Sequence, residues 1–299
     1  MHVMGIDGGG STVRALVADP DLHILGQAQD TGVNPKLVGG EVSAQRVQTV
    51  MRRALTEAAL PGSEIAAVCI GVAGGGAEWP LEVIKAVTPQ ARVVNAGDCE
   101  IALVGARGQR HGIVVLSGTG CVACGINDAG EKAFVGGVGY LLDDIGSGYW
   151  LGKEAVRHSL RAYDQTGPPT HLTERLGAAL NITTRGGWVT WMYATVDQNA
   201  AAVAQLAPLV LDEAAAGDAV AQAIIEQGAQ ELALFGHTLM RRLGLDREHI
   251  AFAGSLLTAT NCLSERLRVL LGLPAIPVPR YPPVMGAAML ALQALADLD

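Results

Sequence analysis

The chain is poor in features that mark several other classes of protein. Only 17% of its 299 residues are charged and 4% are aromatic, and the net charge is −8. An acidic chain lacks the clustered basic face that binds a nucleic-acid backbone, so we expect no nucleic-acid partner. No apolar run approaches the roughly 18 residues of a membrane span, and no signal-peptide pattern precedes the first predicted strand. We therefore expect a cytoplasmic protein without a membrane partner.

Motifs for metal binding and redox chemistry are scarce as well. The five cysteines have no disulfide-framework spacing, which favours reduced thiols. Cys121 and Cys124 form a lone C-x-x-C, but on a predicted strand they face opposite sides, so structural thiols are the favoured interpretation. The seven histidines form no ligand cluster and no H-E-x-x-H motif, and the P-loop motif G-x-x-x-x-G-K-[ST] is absent.

Glycine is abundant, and its first cluster organises the chain. Gly8, Gly9 and Gly10 separate two strand-like segments, and Ser11 and Thr12 follow them. Without Cβ atoms, backbone amides can surround an anion such as phosphate, and the hydroxyls add donors. The charge of Asp7 would repel phosphate unless a divalent cation lay between them. The loop thus indicates a nucleotide with Mg²⁺; a tight hairpin with an acidic residue beside it is the alternative.

The second half of the chain repeats this order of elements. The strand-like segment 112–116 precedes Ser117-Gly118-Thr119-Gly120, and a strand over 121–126, a turn and another strand follow. The repetition predicts a duplicated, two-lobed α/β chain whose loops face a central cleft. Residues 118–123 also fit the dinucleotide-binding pattern G-x-G-x-x-A. A loop of that kind opens a helix, whereas a β-branched, alternating segment follows here.

Other predicted elements complete the two lobes. The sequence predicts helices over 41–60, 79–87, 149–156 and 285–298, mostly helical chain over 170–243, and strands over 66–72, 92–95 and 249–253. Asp98 follows one predicted strand end, where open α/β sheets bind ligands, although it could merely cap the next helix. Asn34 could similarly meet a substrate or cap its loop. Asp143 and Asp144 are expected at the entry of the helix over 149–156.

The loops 7–12, 117–120 and 253–255 together resemble the phosphate-1, phosphate-2 and adenosine motifs of the actin/Hsp70/sugar-kinase superfamily. The resemblance is closest to N-acetylglucosamine kinases and the related BadF/BadG/BcrA/BcrD ATPase family. That family commonly has Gly-Asp-Glu-Gly-Ser before Tyr-Trp-Ile-Gly, against Asp-Asp-Ile-Gly-Ser at 143–147 before Tyr-Trp-Leu-Gly at 149–152. The resemblance implies an actin-like ATPase fold with duplicated, ribonuclease H-like lobes.

The resemblance also implies ATP and Mg²⁺ as ligands and assigns roles to residues. Asp98 corresponds to the base, and Asp7 would bind Mg²⁺ through water. The ATP-binding set is Gly8, Gly9, Gly10, Ser11, Thr12, Ser117, Gly118, Thr119, Gly120, Gly254 and Ser255. The sugar-binding set is Asn34, Gly74, Gly75, Asp98, Thr119, Gly120 and Asp144.

The function implied is ATP-dependent phosphorylation of N-acetylglucosamine or glucosamine at the 6-hydroxyl, by a homodimer. The alternative is an ATP-driven activator of a 2-hydroxyacyl-CoA dehydratase-type partner, with a cysteine-bound iron–sulfur cluster. A carboxylate at 143 and an isoleucine at 145 leave the acceptor open between an acetylated amine, a free amine and another sugar. The lobes are predicted as residues 1–111 with 285–299, and residues 112–284.

Overall fold

A computed structural model describes residues 1–73, 80–196 and 200–297. The chain forms two compact units, unit 1 (Met1–Val114 with Pro279–Asp299) and unit 2 (Val115–Val278). The predicted lobes end at 111 and 284 instead. The second of those boundaries cuts the last helix, which begins at Pro283 rather than Met285. Proline suits the first turn of a helix because that turn needs no backbone donor.

Unit 1 is built on a mixed sheet flanked by helices. Its elements are β1 (His2–Gly8), β2 (Thr12–Ala18), β3 (Ile24–Thr31), α1 (Pro35–Val38), α2 (Gly40–Ala58), β4 (Ile65–Val72), α3 (Leu81–Lys85), β5 (Arg92–Ala96) and α4 (Asp98–Arg107), which β6 (Gly112–Ser117) follows. The strand order is β3-β2-β1-β4-β5. β2 is antiparallel to both β1 and β3, whereas β1, β4 and β5 are parallel.

Both faces of this sheet are covered. Val47, Val50 and Met51 of α2 pack on one face, and α4 with the last helix packs on the other. A Cβ at Gly5 would lie 2.2 Å from the Val284 carbonyl oxygen, so glycine in β1 lets the helix approach the strand. Because the central strands are buried on both sides, their sequences read as continuous apolar runs.

Unit 2 contains a second sheet and most of the helices. Its elements are β7 (Cys121–Ile126), β8 (Lys132–Gly136), α5 (Gly148–Tyr163), α6 (Leu172–Leu180), α7 (Arg185–Val196), α8 (Ala200–Ala204), α9 (Ala207–Ala215), α10 (Ala219–Leu243), β9 (Ile250–Ala253), α11 (Ser255–Thr258) and α12 (Cys262–Leu270); α13 (Pro283–Ala296) returns to unit 1. The strand order is β8-β7-β6-β9. The predicted repeat of strand, loop, strand, turn and strand is confirmed. β7 is a strand, which excludes the dinucleotide-binding reading of residues 118–123.

Two predicted features fall partly or wholly outside the description. The helix predicted over 79–87 is observed as α3, and Trp79 lies outside the described residues, as do residues 197–199 of the stretch predicted to be mostly helical. No single helix in the described ranges has both the length and the apolar composition of a membrane span. The segments Ala200–Ala215 and Ala219–Leu243 meet that test only jointly, bent by 116°.

Candidate active site

One edge of the unit 1 sheet gathers three of the predicted site residues. Since β1, β4 and β5 are parallel, their carboxyl ends lie at the same edge. β3 points the same way, because two antiparallel pairings separate it from β1. Asp7 is at the end of β1, Asp98 follows β5 and Asn34 follows β3, so the topology brings all three to this edge. Gly74 and Gly75, which follow β4, lie outside the described residues.

The first glycine loop is a tight hairpin with its own hydrogen bonds. The Gly9 amide donates to the Thr12 carbonyl at 2.8 Å, and the Gly9 carbonyl accepts from Val33 at 3.1 Å. A Cβ at Gly32 would lie 2.0 Å from the Gly10 carbonyl oxygen. The Gly9 amide therefore closes the hairpin, and the ATP-binding role given to Gly9 stays a prediction. The hairpin itself is as predicted.

Asp7 is half-buried near one positive and one negative group. Its side chain is 16% exposed, and its carboxylate lies 3.8 Å from the guanidinium of Arg14, its cross-strand partner on β2. Burial raises the pKa of Asp7 to about 6; the charge of Arg14 lowers this pKa, and the charge of Asp98 raises it. Asp7 and Asp98 are therefore close enough to interact electrostatically. A half-buried carboxylate within electrostatic reach of a second one suits a divalent cation.

Asp98 is the first residue of α4 rather than its cap. Gly97 occupies the N-cap position without a side-chain bond, and Asp98 Oδ1 accepts from the Cys99 amide at 2.9 Å. The reading of Asp98 as an N-cap is thus wrong. Burial raises the pKa of Asp98, and backbone hydrogen bonds from residues 98 and 99 oppose that rise. A carboxylate with a raised pKa at a strand end has the character of a general base.

Asn34 is half-buried at the start of the short helix α1, where its carbonyl accepts from the Val38 amide at 3.1 Å. This backbone bond belongs to the turn and leaves the role of the Asn34 amide side chain a prediction.

In unit 2, the loop Ser117–Gly120 is bonded to the residues that open α5. The Gly118 carbonyl accepts from Gly148 at 2.8 Å, and the Thr119 carbonyl accepts from Tyr149 at 3.1 Å. The hydroxyl of Ser117 is fully buried and donates to the Gly146 carbonyl at 2.8 Å. This hydrogen bond engages the hydroxyl inside the protein, and the ATP-binding role given to Ser117 stays a prediction. Thr119 and Gly120 are half-buried at the loop.

Asp144 lies directly against this loop. A Cβ at Gly120 would be 2.9 Å from Asp144 Oδ2, so the glycine leaves room for the carboxylate. Asp144 is 5% exposed and has a φ of 73°, a left-handed conformation that is costly for a residue other than glycine. Burial raises its pKa to about 6; amides of Cys121 and Gly139 lower it, and the charge of Asp143 raises it. Asp143 and Asp144 precede the helix entry, which Ser147 caps by accepting from Trp150.

The third predicted motif closes against the same loop. Gly254 has a φ of 81°, and a Cβ there would lie 2.1 Å from the Ser117 carbonyl oxygen. Ser255 begins α11 and is exposed. Unit 2 therefore brings together Ser117–Gly120, Asp144 and Gly254–Ser255, and unit 1 brings together Asp7, Asn34 and Asp98. The roles given to these residues stay predictions.

Two residues that contact the candidate site residues were not predicted from the sequence. Arg14 pairs with Asp7 across the hairpin, which the spacing of the two residues about Gly10 and Ser11 would have indicated. Gly146 accepts the Ser117 hydrogen bond through its carbonyl, and no side-chain pattern signals a backbone acceptor.

Cysteines, tryptophans and histidines add little to the site. Cys69, Cys99, Cys121 and Cys124 are buried and belong to no disulfide, and Trp150 and Trp188 lie in the core. The expectation of no histidine cluster needs one correction: ligand atoms of Asp19, Asp21 and His23 lie within 4.8 Å of one another. The Asp19 carboxylate already accepts from the Asp21 amide and the His23 ring there, as in an ordinary polar turn.

Comparison with known proteins places this arrangement in a family. An N-acetyl-D-glucosamine kinase of Dictyostelium discoideum is 29% identical over 97% of both chains. The glucosamine kinase GspK of Vibrio cholerae is 27% identical over 97% of this chain and 95% of its own. The solved structure of a protein provisionally assigned as an N-acetylglucosamine kinase, from Chromobacterium violaceum, has a TM-score of 0.77 at 26% identity and covers 97% and 98% of the two chains.

The fold is accordingly the predicted α/β, actin-like ATPase fold, which also occurs in a glucokinase of the ROK family from Streptomyces griseus with a TM-score of 0.58. The family model described as BadF/BadG/BcrA/BcrD ATPase family matches residues 4–291. The chain belongs to the BadF/BadG/BcrA/BcrD ATPase family.

Proposed function

We propose that this protein is an ATP-dependent kinase of amino sugars that phosphorylates the 6-hydroxyl of N-acetylglucosamine or glucosamine. The relatives named above act, by their names, on these two sugars, and they match this chain over nearly its full length. The family description adds that its members are ATPases. Residue chemistry at the edge of the unit 1 sheet supports the same reaction.

The observation that carries the proposal is the placement of Asp7 and Asp98. Asp7 lies at the end of β1 and Asp98 follows the parallel strand β5 at the same sheet edge, both have raised pKa values, and the charge of Asp98 acts on Asp7. Phosphoryl transfer needs little covalent help from the protein. It needs neutralised phosphates and a carboxylate that orients and deprotonates the attacking hydroxyl.

Asp98 is the proposed base. Burial raises its pKa, which makes it a better proton acceptor than an exposed aspartate. The backbone hydrogen bond from Cys99 fixes the orientation of the carboxylate. Asp98 would take the proton of the sugar hydroxyl as that oxygen attacks the γ-phosphorus, and ADP would leave.

The residues around Asp7 fit a magnesium ion. Mg²⁺ prefers carboxylate oxygens and water, and Asp7 offers a half-buried carboxylate whose charge Arg14 only partly balances. Asp7 would hold the ion through water, and the bound ion supplies neutralisation of the phosphate charge. Arg14 remains beside Asp7 and limits the cost of burying that carboxylate. The hairpin residues Gly8 to Thr12 would contact the phosphates.

In unit 2, Gly118 to Gly120 would bind phosphate, Gly254 and Ser255 would border the adenine, and Asp144 would accept hydrogen bonds from sugar hydroxyls. Asn34 of unit 1 would contribute a side-chain amide to the sugar. A buried carboxylate in a strained conformation is consistent with a binding role, because such strain is usually retained only where function requires it. Homodimer formation belongs to the same proposal.

The direct test is a coupled assay on the purified chain. ATP, Mg²⁺ and a panel of N-acetylglucosamine, glucosamine, N-acetylmuramic acid, glucose and mannose are supplied, and ADP release is coupled to NADH oxidation. We expect ADP release to depend on one of the amino sugars. ADP release at the same rate with every sugar and with none would overturn the proposal.

The dehydratase-activator alternative is disfavoured by the cysteines. A cluster shared between two chains needs thiols at a surface, but Cys121 and Cys124 are 3% and 2% exposed on β7. The Cys121 thiol donates to the Ile145 carbonyl at 3.4 Å, and its burial raises its pKa, which disfavours the thiolate that binds iron. We expect an anaerobic assay for iron and sulfide to find neither.

A further inference from the structure

The Ser117 hydroxyl sits in the loop expected to bind phosphate, yet it does not face a ligand. It is fully buried and donates to the Gly146 carbonyl at 2.8 Å. A hydroxyl has a single donor hydrogen, so one that donates it to a backbone carbonyl inside the protein cannot also donate it to an anion. Its contribution to ligand binding must therefore pass through Gly146.

Gly146 belongs to the turn that carries Asp144. The Ser147 amide donates to the Asp144 carbonyl at 3.0 Å, so residues 144–147 form a closed turn. The Ser117 bond ties this turn to the end of β6. One side of the turn then places the Asp144 carboxylate against Gly120, where a Cβ would lie 2.9 Å from Oδ2.

Asp144 needs such support because its conformation is not self-sustaining. Its φ of 73° is costly for aspartate, and the residue is 5% exposed. Strained residues persist only where neighbouring contacts determine them. The contacts that hold this one are backbone hydrogen bonds from Cys121 and Gly139 and the turn that Ser117 anchors.

We infer that Ser117 is a positioning residue for sugar binding, acting through Gly146 on Asp144, and not a ligand of the nucleotide. This inference rests on the proposed function, because it takes Asp144 to be a sugar ligand. Ser117 thus belongs functionally to the sugar side of the reaction, although its sequence position lies in the phosphate loop.

The test compares Ser117→Ala with the wild type in steady-state kinetics of the chain as purified. The loss of the hydrogen bond loosens Asp144, so the KM for the sugar should rise about tenfold while the KM for ATP changes less than about twofold. Ser117→Thr keeps the donor and should restore the sugar KM. If Ser117 contacted the nucleotide instead, the ATP KM would rise and the sugar KM would hold.

A matched control separates positioning from general stability. The Thr88 hydroxyl is also fully buried and also donates to a backbone carbonyl, that of Ile84, at 3.1 Å. Its neighbour Val87 packs against Gly62, just before β4 begins, so Thr88 lies at the sheet edge opposite to the candidate site. Thr88→Ala should lower thermal stability without changing either KM. A Ser117→Ala variant that behaves in the same way would overturn the inference.

A double-mutant cycle with Asp144→Asn tests the route through Asp144. If Ser117 acts through that carboxylate, Ser117→Ala should change kcat/KM for the sugar less than about twofold in the Asp144→Asn background. A full tenfold loss in that background would show that Ser117 acts by another route. The outcomes differ from failure of the proposed function, in which the wild type itself would phosphorylate no sugar.

Discussion

Gly254 lies against Ser117 so closely that a Cβ at position 254 would be 2.1 Å from the Ser117 carbonyl oxygen and 2.6 Å from its carbon. Gly254 also has a φ of 81°, so two separate constraints require glycine here. The contact joins the end of β9 to the end of β6. It thereby couples the loop proposed to border the adenine to the loop proposed to bind phosphate.

Gly254→Ala should therefore destabilise the protein and weaken ATP binding. We expect a loss of at least about 3 kcal/mol in the free energy of unfolding, because backbone must move as well as adopt a strained φ. Gly130→Ala is the control, since Gly130 has a φ of 77° but open space around its Cβ position. It should cost only about 1 kcal/mol. Urea denaturation measures both, and equal losses would show that the Ser117 contact is unimportant.

Asp98→Asn should abolish most turnover without removing nucleotide binding. An amide cannot accept the proton of the sugar hydroxyl, so we expect kcat to fall by at least about 10²-fold while the Kd for ATP stays within about twofold. Stopped-flow or coupled-assay rates and calorimetric titration measure the two quantities. Asp21 is exposed, so Asp21→Asn serves as the control and should leave both kcat and the Kd for ATP unchanged. Near-normal turnover in Asp98→Asn would remove Asp98 from the role of base.

We expect the ionised carboxylate of Asp7 to lower the free energy of unfolding. Its folded-state pKa of about 6 exceeds the unfolded value of 3.8, so its penalty is absent below the unfolded pKa and complete above about pH 6. Without Mg²⁺, Asp7→Asn should be more stable than the wild type by about 1–3 kcal/mol at pH 8. The difference should vanish as the pH falls toward 4. A pH-independent difference in urea midpoints would contradict this expectation.

We expect kcat/KM for the sugar to fall at mildly acidic pH. The pKa of Asp144 is raised to about 6 and that of Asp98 is also raised, both chiefly by burial, and both carboxylates are needed ionised. With N-acetylglucosamine, which does not titrate in this range, and saturating ATP and Mg²⁺, kcat/KM should fall steadily below about pH 6. Asp144→Asn should retain only the part of the pH dependence that Asp98 causes. A flat profile between pH 5 and pH 8 would contradict these assignments.

Thiol reactivity provides a check on the buried cysteines. Cys69, Cys99, Cys121 and Cys124 are buried, whereas Cys262 is half-buried with a pKa raised by burial. A chromogenic disulfide reagent should therefore modify the native protein slowly and at one thiol, and all five after denaturation. Fast reaction of two thiols in the native state would reopen the alternative of an accessible cysteine pair.

Most strands and helices could be predicted from the sequence because the patterns that indicate them are local and repeated. The order of strand, glycine-rich loop, strand, turn and strand occurs in both halves, and the observed strands β1–β3 and β6–β8 follow it. Element ends were less accurate where a backbone rule decided them: α4 begins at Asp98 because Gly97 takes the N-cap position, and α13 begins at a proline.

The candidate site was predictable as a set of residues but not as a set of contacts. The positions of hydroxyls and glycines indicated phosphate-binding loops. In the structure, however, the Ser117 hydroxyl donates to the Gly146 carbonyl and the Gly9 amide donates to the Thr12 carbonyl. Such bonds depend on where the backbone carbonyls of distant residues lie, and side-chain identity does not encode those positions. The left-handed conformation of Asp144 was hidden for the same reason.

The most direct test of the account is the identity of the product. ATP, Mg²⁺ and N-acetylglucosamine or glucosamine are incubated with the wild type and with Asp98→Asn, and the products are analysed by phosphorus-31 and proton NMR. We predict an amino sugar 6-phosphate formed in equal amount to ADP by the wild type, and only traces with Asp98→Asn. ADP accompanied by inorganic phosphate alone, with no phosphorylated sugar, would contradict the account.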